Sequence, residues 1–138
     1  MSVENPTNDK IKQVLETSKS IAVVGLSDNP GRTSYQISKI MQDNGYKIIP
    51  INPMIDEVLG EKSYNSLKEV EEQIDIINVF RRSEFLPEIA QEAAETSAKI
   101  FWAQLGVSNK EAYTFLKERD FTVIMDVCIK VAHTMLVR

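Results

Sequence analysis

To hold a phosphorylated ligand a chain needs glycine at a strand–helix turn and positive charge at strand ends, and this one has both. Gly25 and Gly31 bracket the loop GLSDNPG, between the apolar run Ile21 to Val24 and a helix-spaced segment beginning at Ser34. Free N–H groups and the dipole at a helix start favour an anion. A glycine at this position also serves a tight turn with no ligand at all. Arg32 closes the loop, and Arg81-Arg82 stand at the end of another apolar run, Asp75 to Phe80. Arginine grips phosphate with a planar fork of donors. The same pair would equally be solvated, or paired with Glu84 or Glu88 of the next helix. Asn52-Pro53 ends the run Tyr46 to Ile51 and is either a ligand edge or a plain turn.

Sharper motifs fail. A dinucleotide fingerprint wants G-x-G-x-x-G and an acid at the end of the second strand. Here the loop glycines are six positions apart, and the strand ends Ile51-Asn52-Pro53. No G-x-x-x-x-G-K-[ST] occurs, which excludes a P-loop. Cys128 and His133 are the single cysteine and the single histidine. On a helix their spacing turns through about 500°, so they face apart, and neither a thiol–imidazole dyad nor a zinc site is expected. Cys128 reads as a small core residue, with a mixed disulfide to a nearby thiol ligand left open. Asp126 is the carboxylate that would activate water if the chain were a hydrolase.

The elements that must position these residues alternate along the 138-residue chain. Met1 to Pro6 is expected as a loose tail. Thr7 or Asn8 caps a first helix carrying Ile11, Val14 and Leu15 on one face. A βαβ unit follows, its helix stopped at Asn44-Gly45. Met54 to Ser63 reads as a polar connection and SLKEVEEQ as a short helix capped by Ser66. Then come the third strand, a helix from Ser83 with Pro87 near its start, a fourth strand at Lys99 to Ala103, a helix capped by Asn109, a fifth strand at Phe121 to Met125, and a helix from Cys128 to Leu136. Strand–helix alternation predicts one α/β domain over residues 1–138, a doubly wound parallel five-stranded sheet with helices on both faces. The order 3-2-1-4-5 is expected, which would place Gly25 near Gln104 and Gly106.

Composition bounds the partners. The net charge of −4 gives no field favouring nucleic acid or an anionic membrane. No apolar run approaches the roughly 18 residues of a membrane span, and the N-terminus lacks a basic stretch followed by an apolar core. A single cysteine fits a reducing compartment. A cytoplasmic protein is expected, and a homo-oligomer or protein partner is left open.

Several separate blocks carry a resemblance: VVGLSDNPGRTSY, the strand end IPINP, LGEKSYNSL, FRR, WAQLG and MDVCIK. In this order they resemble the stand-alone CoA-binding family, small Rossmann-like proteins similar in fold to the CoA-binding domain of the succinyl-CoA synthetase α subunit. The resemblance covers roughly Ile11 to His133. It implies a coenzyme A or acyl-CoA ligand, with Gly25, Ser27, Gly31 and Arg32 near the phosphates and Asn52 and Pro53 flanking the nucleotide. Phe80, Arg81 and Arg82, then Gln104 and Gly106, would complete the cleft. The chain departs from the family where a basic residue and a glutamate are common, at Val127 and Ala132. The expected function is binding of CoA or an acyl-CoA without catalysis; an NAD(P)-binding protein and an interaction subunit with a decayed site are the alternatives.

Overall fold

Strand runs that are apolar on both sides can be buried only if helices cover both faces of their sheet. The computed structural model, which describes residues 3–137, has that arrangement. Strands β1 (Ser20–Val24) and β2 (Lys47–Ile51) are followed, after a small hairpin of β3 (Glu57–Val58) and β4 (Glu61–Lys62), by β5 (Ile76–Val79), β6 (Ile100–Ala103) and β7 (Thr122–Ile124). All but the hairpin form one parallel five-stranded sheet. Helices α1 (Asn8–Thr17), α2 (Thr33–Asp43) and α5 (Ile129–Leu136) cover one face, where Ile21 and Val23 meet Leu15, Met41 and Ile129. Helices α3 (Leu86–Ala93) and α4 (Lys110–Lys117) cover the other, where Ala22 and Val24 meet Leu86, Ala90 and Leu116. The fold is the expected Rossmann-like α/β sandwich. Thr7 caps α1 through Lys10 N at 3.2 Å, and Asn109 caps α4 through Ala112 N at 2.9 Å.

The strand order corrects the expectation. Counted along the chain, the five sheet strands run 2-1-3-4-5, not 3-2-1-4-5. Pro50 supplies a physical reason. Its carbonyl accepts from Tyr64 N at 2.9 Å, away from β1. The N and O of a strand residue face the same side, so the missing N–H falls on the outer edge. In the expected order β2 would be internal and a ladder bond would be lost there. The link from β2 also differs from its sequence reading. Leu59 (φ 56°) and Gly60 (φ 76°) form a two-residue turn with both residues left-handed, the geometry a tight hairpin needs. The expected helix SLKEVEEQ is a single 3₁₀ turn, Leu67–Glu69. Ser66 makes no cap there; Glu92 accepts from Leu67 N at 2.8 Å instead. Leu67 is its one buried residue, too little to hold a helix that short. The chain then crosses β1 and pairs on its far side, so the switch point lies between β1 and β5.

Residues 3–6 correct the expectation of a loose tail, while residues 1 and 2 lie outside the described residues. Asn5 donates from Nδ2 to Met125 O and accepts at Oδ1 from Met125 N, both at 2.9 Å. Its amide thus imitates a paired strand at the open edge beyond β7. Among the described residues no helix is long and apolar enough to cross a membrane.

Candidate functional site

The chain leaves β1 at Gly25, and the turn there brings three strand ends together. Gly25 N donates to Ile51 O at 3.0 Å, and Phe80 N to Val24 O at 2.9 Å. Gly25 has φ +89°, and a Cβ on it would stand 3.0 Å from Phe80 O and 3.1 Å from Arg81 Cδ. Glycine is therefore required twice, by backbone conformation and by the approach of β5. The stem of Arg81 lies against the glycine turn. Its guanidinium rests over the Phe85 ring, 4.6 Å from the centroid, with that of Arg82 at 5.8 Å.

The loop beyond Gly25 is shaped from within. Leu26 is fully buried beneath it. Ser27 Oγ accepts from Asn29 N at 3.0 Å, and Asn29 Oδ1 from Gly31 N at 2.9 Å. Ser34 Oγ accepts from Ser27 N at 3.0 Å. Asn52 ties this loop to the end of β2, donating from Nδ2 to Leu26 O and accepting at Oδ1 from Met54 N, both at 2.9 Å. Arg32 precedes α2, whose first turn has neither a side-chain cap nor an acid.

Gly25, Arg32, Asn52 and Pro53 face Phe80, Arg81 and Arg82 across a cleft of about 550 Å³. Arg82 Nε is 3.7 Å from Glu84 Oε1, with the two side chains 82% and 67% exposed. A pair that open to water is worth at most about 1 kcal/mol, so it holds Arg82 only weakly. Neither Arg32 nor Arg81 has an ion-pair partner among the described residues. An adjoining lobe of about 350 Å³ shares Ile51, Pro53, Arg81 and Phe85. Its floor is Val24, Leu67 and Ile89, and Asn65, Ser66, Glu88 and Glu92 stand at its rim. One lobe can take an anion and the other an apolar or planar group.

Residues 19–134 match the family model described as "CoA binding domain". The chain belongs to that family. It is 61% identical over 133 residues to the uncharacterized protein YneT of Bacillus subtilis, covering 96% of this chain and 98% of YneT. It is 36% identical over 81 residues to the ADP-forming acetate–CoA ligase of Methanocaldococcus jannaschii, covering 59% of this chain and 12% of the ligase. Among solved structures, a hypothetical protein from Pyrococcus horikoshii OT3 superposes with TM-score 0.92 over all of both chains at 29% identity.

Of the remaining residues that the resemblance to CoA-binding proteins singled out, two lie on the loop between Gly25 and Arg32 and two follow β6. Ser27 and Gly31 shape the loop by the bonds given above. Gln104 and Gly106 were expected beside Gly25; they follow β6, with β5 between them and Gly25, and Gln104 N donates to Val79 O at 3.2 Å at the end of β5. Gln104 is 5% exposed, and its Oε1 accepts from Ile129 N at 3.0 Å, satisfying an orphan donor at the start of α5. Gly106, at φ +84°, donates to Asp126 Oδ1 at 2.6 Å. Cys128 precedes α5 as its N-cap, with extended backbone, so the expected helix starts one residue later, and His133 lies within it. His133 packs edge-on against the Tyr46 ring at 5.7 Å, and half-buried Cys128 lines a separate groove. Burial, and Glu16 nearby, hold the Tyr46 hydroxyl above its ordinary value. Sequence reasoning missed Phe85, the ring beneath both arginines, although an aromatic shortly after Arg81-Arg82 at a helix start was a usable signal.

Proposed function

We propose that the cleft at the β1–β5 crossing binds coenzyme A or an acyl-CoA, and that this chain holds the ligand without turning it over. The observation that carries this is the gathering of Arg32, Arg81 and Arg82 around Gly25 in a protein of net charge −4. CoA is a polyanion, and guanidinium forks suit its pyrophosphate and ribose phosphate. Its base and ribose fit the adjoining lobe, whose acidic rim disfavours phosphate. Membership of the CoA-binding family supports the same ligand. The NAD(P) reading lacks its acid at the end of β2; the uncharged Asn52 there is engaged with Leu26 O and Met54 N. For chemistry on the ligand, Asp126 is already bound to Gly106 N, Cys128 lines the other groove, and His133 packs against Tyr46. A reducing, cytoplasmic location suits the free Cys128.

Thermal melts with CoA, NAD and ADP test the ligand. A ligand that binds only the folded state adds about 2.7 kcal/mol at a hundred times its Kd, so CoA gives the largest rise in Tm. An equal or larger rise with NAD overturns the assignment. Steady thiol release from acetyl-CoA or succinyl-CoA, abolished in Asp126→Asn, would instead establish an enzyme.

A further inference from the structure

A second concavity on the same sheet edge is left unused by the phosphate cleft. Of the five large hydrophobic side chains exposed among the described residues, three, Leu105 (69%), Val131 (46%) and Met135 (65%), line one groove of about 410 Å³. Scattered exposed apolar side chains need no explanation, but three on one hollow do. Buried Ile11 and Ala132 form its floor between α1 and α5, and the Cys128 thiol lies at its wall. The carboxylate on its rim, Asp126, is held by Gly106 N.

Hydrogen bonds join this groove to the cleft along the carboxyl edge of the sheet. Ser83, next to Arg82, accepts at Oγ from Ser108 N at 3.0 Å and at its carbonyl from Asn109 Nδ2 at 3.3 Å. The same loop carries Leu105 and Gly106, and Gly106 reaches Asp126. From the end of β5 to the end of β7 is two strand spacings, about 10 Å. The pantetheine arm of CoA has three linked units, each at least as long as an extended residue, so it spans at least about 10 Å.

We propose that this groove receives the acyl end of an aliphatic acyl-CoA whose phosphates lie at Arg81 and Arg82. The proposal rests on the CoA reading of the cleft and adds a preference: unbranched aliphatic acyl groups over free CoA, and over acyl groups ending in a carboxylate. An aliphatic chain in the groove covers Leu105, Val131 and Met135, whereas a terminal carboxylate would be desolvated against them beside Asp126.

Calorimetric titration with CoA, acetyl-CoA, succinyl-CoA, hexanoyl-CoA and octanoyl-CoA tests it. CoA binds, affinity rises roughly fourfold per buried methylene from acetyl to hexanoyl, and succinyl-CoA falls below acetyl-CoA. Leu105→Asp and Met135→Glu flatten that series and leave the affinity for CoA itself unchanged; both positions are exposed, and equal Tm values verify the fold. Alkylation of Cys128 slows with octanoyl-CoA more than with CoA. If CoA binds but chain length has no effect, or if the series survives both variants, the groove is not the acyl site and the cleft assignment stands. If CoA does not bind at all, both fall together.

Discussion

Arg81 should dominate binding over Arg82, although the two are adjacent and both exposed. The stem of Arg81 runs along the glycine turn: its Cδ and Cγ lie 3.1 and 3.4 Å from where a Gly25 Cβ would stand. Its guanidinium is stacked at 4.6 Å on Phe85. The stack leaves Arg81 less rotamer freedom to lose than Arg82 when a phosphate arrives. Arg82 is 82% exposed, is farther from the ring at 5.8 Å, and must leave Glu84. A hydrogen bond to a charged group is worth about 1.5–3 kcal/mol net. Arg81→Ala is therefore expected to cost about 2 kcal/mol of CoA affinity, roughly thirtyfold. Arg82 spends part of its gain on ordering a free side chain, so Arg82→Ala should cost about 1 kcal/mol, roughly fivefold. Arg81→Lys keeps the charge but not the fork or the stack, and should recover only part of the loss. Calorimetry at low salt and at about 0.15 M, where the Debye length is about 8 Å, should show a shallower salt dependence in both alanine variants. Loss of the exposed cation–π contact costs Arg81→Ala only about 0.5–1 kcal/mol of stability, so the comparison is made on folded protein. Equal affinity for wild type and Arg81→Ala, with matching melts, would remove the cleft from the ligand site.

Three further outcomes follow from named contacts. Gly25→Ala should lose about 2 kcal/mol or more in urea titration, because left-handed backbone costs an L-residue about 1–2 kcal/mol and the new Cβ meets the Phe80 carbonyl; unchanged stability would mean the turn relaxes freely. Gln104→Leu leaves Ile129 N buried without its acceptor, so stability should fall by about 1–3 kcal/mol while CoA affinity holds; lost affinity at full stability would return Gln104 to the site. The raised pKa of Tyr46 means that its contribution is fully present below the unfolded value near 10.0 and is lost as pH rises through the higher folded value. Tyr46→Phe, which also loses the bond to Leu15 O, should be less stable by about 1 kcal/mol at neutral pH and should show a flatter decline of Tm in alkali than wild type.

Much of the fold is legible because its signals are local. The buried runs of β1, β5 and β6, the caps Thr7 and Asn109, and Pro87 at the start of α3 each decide their own neighbourhood. What the sequence hides is long-range. Asn5 pairs with Met125 across most of the chain, and nothing near Asn5 announces its partner. Glu92 looks like one more solvated helix carboxylate until Leu67 N is found beside it. Leu59-Gly60 turns a hairpin without the usual Asn or Asp before the glycine, so it reads as an ordinary connection.

Strand order is where the hidden part reached the site. Which side of β1 the third strand takes is not encoded in that strand: Ile76–Val79 is buried on both faces and would suit either place. The deciding residue sits elsewhere, since Pro50 keeps β2 at an edge and leaves the far side of β1 to β5. That choice replaces the expected neighbours of Gly25, Gln104 and Gly106, with Phe80, Arg81 and Arg82. A glycine turn beside Gln104 would have offered a ligand one neutral amide. Beside β5 it offers two guanidiniums stacked on Phe85 and a third from Arg32, so one proline on the neighbouring strand helps set the charge of the cleft. Gln104, freed from the cleft, can cap α5, and Gly106 can hold Asp126 where the second groove begins.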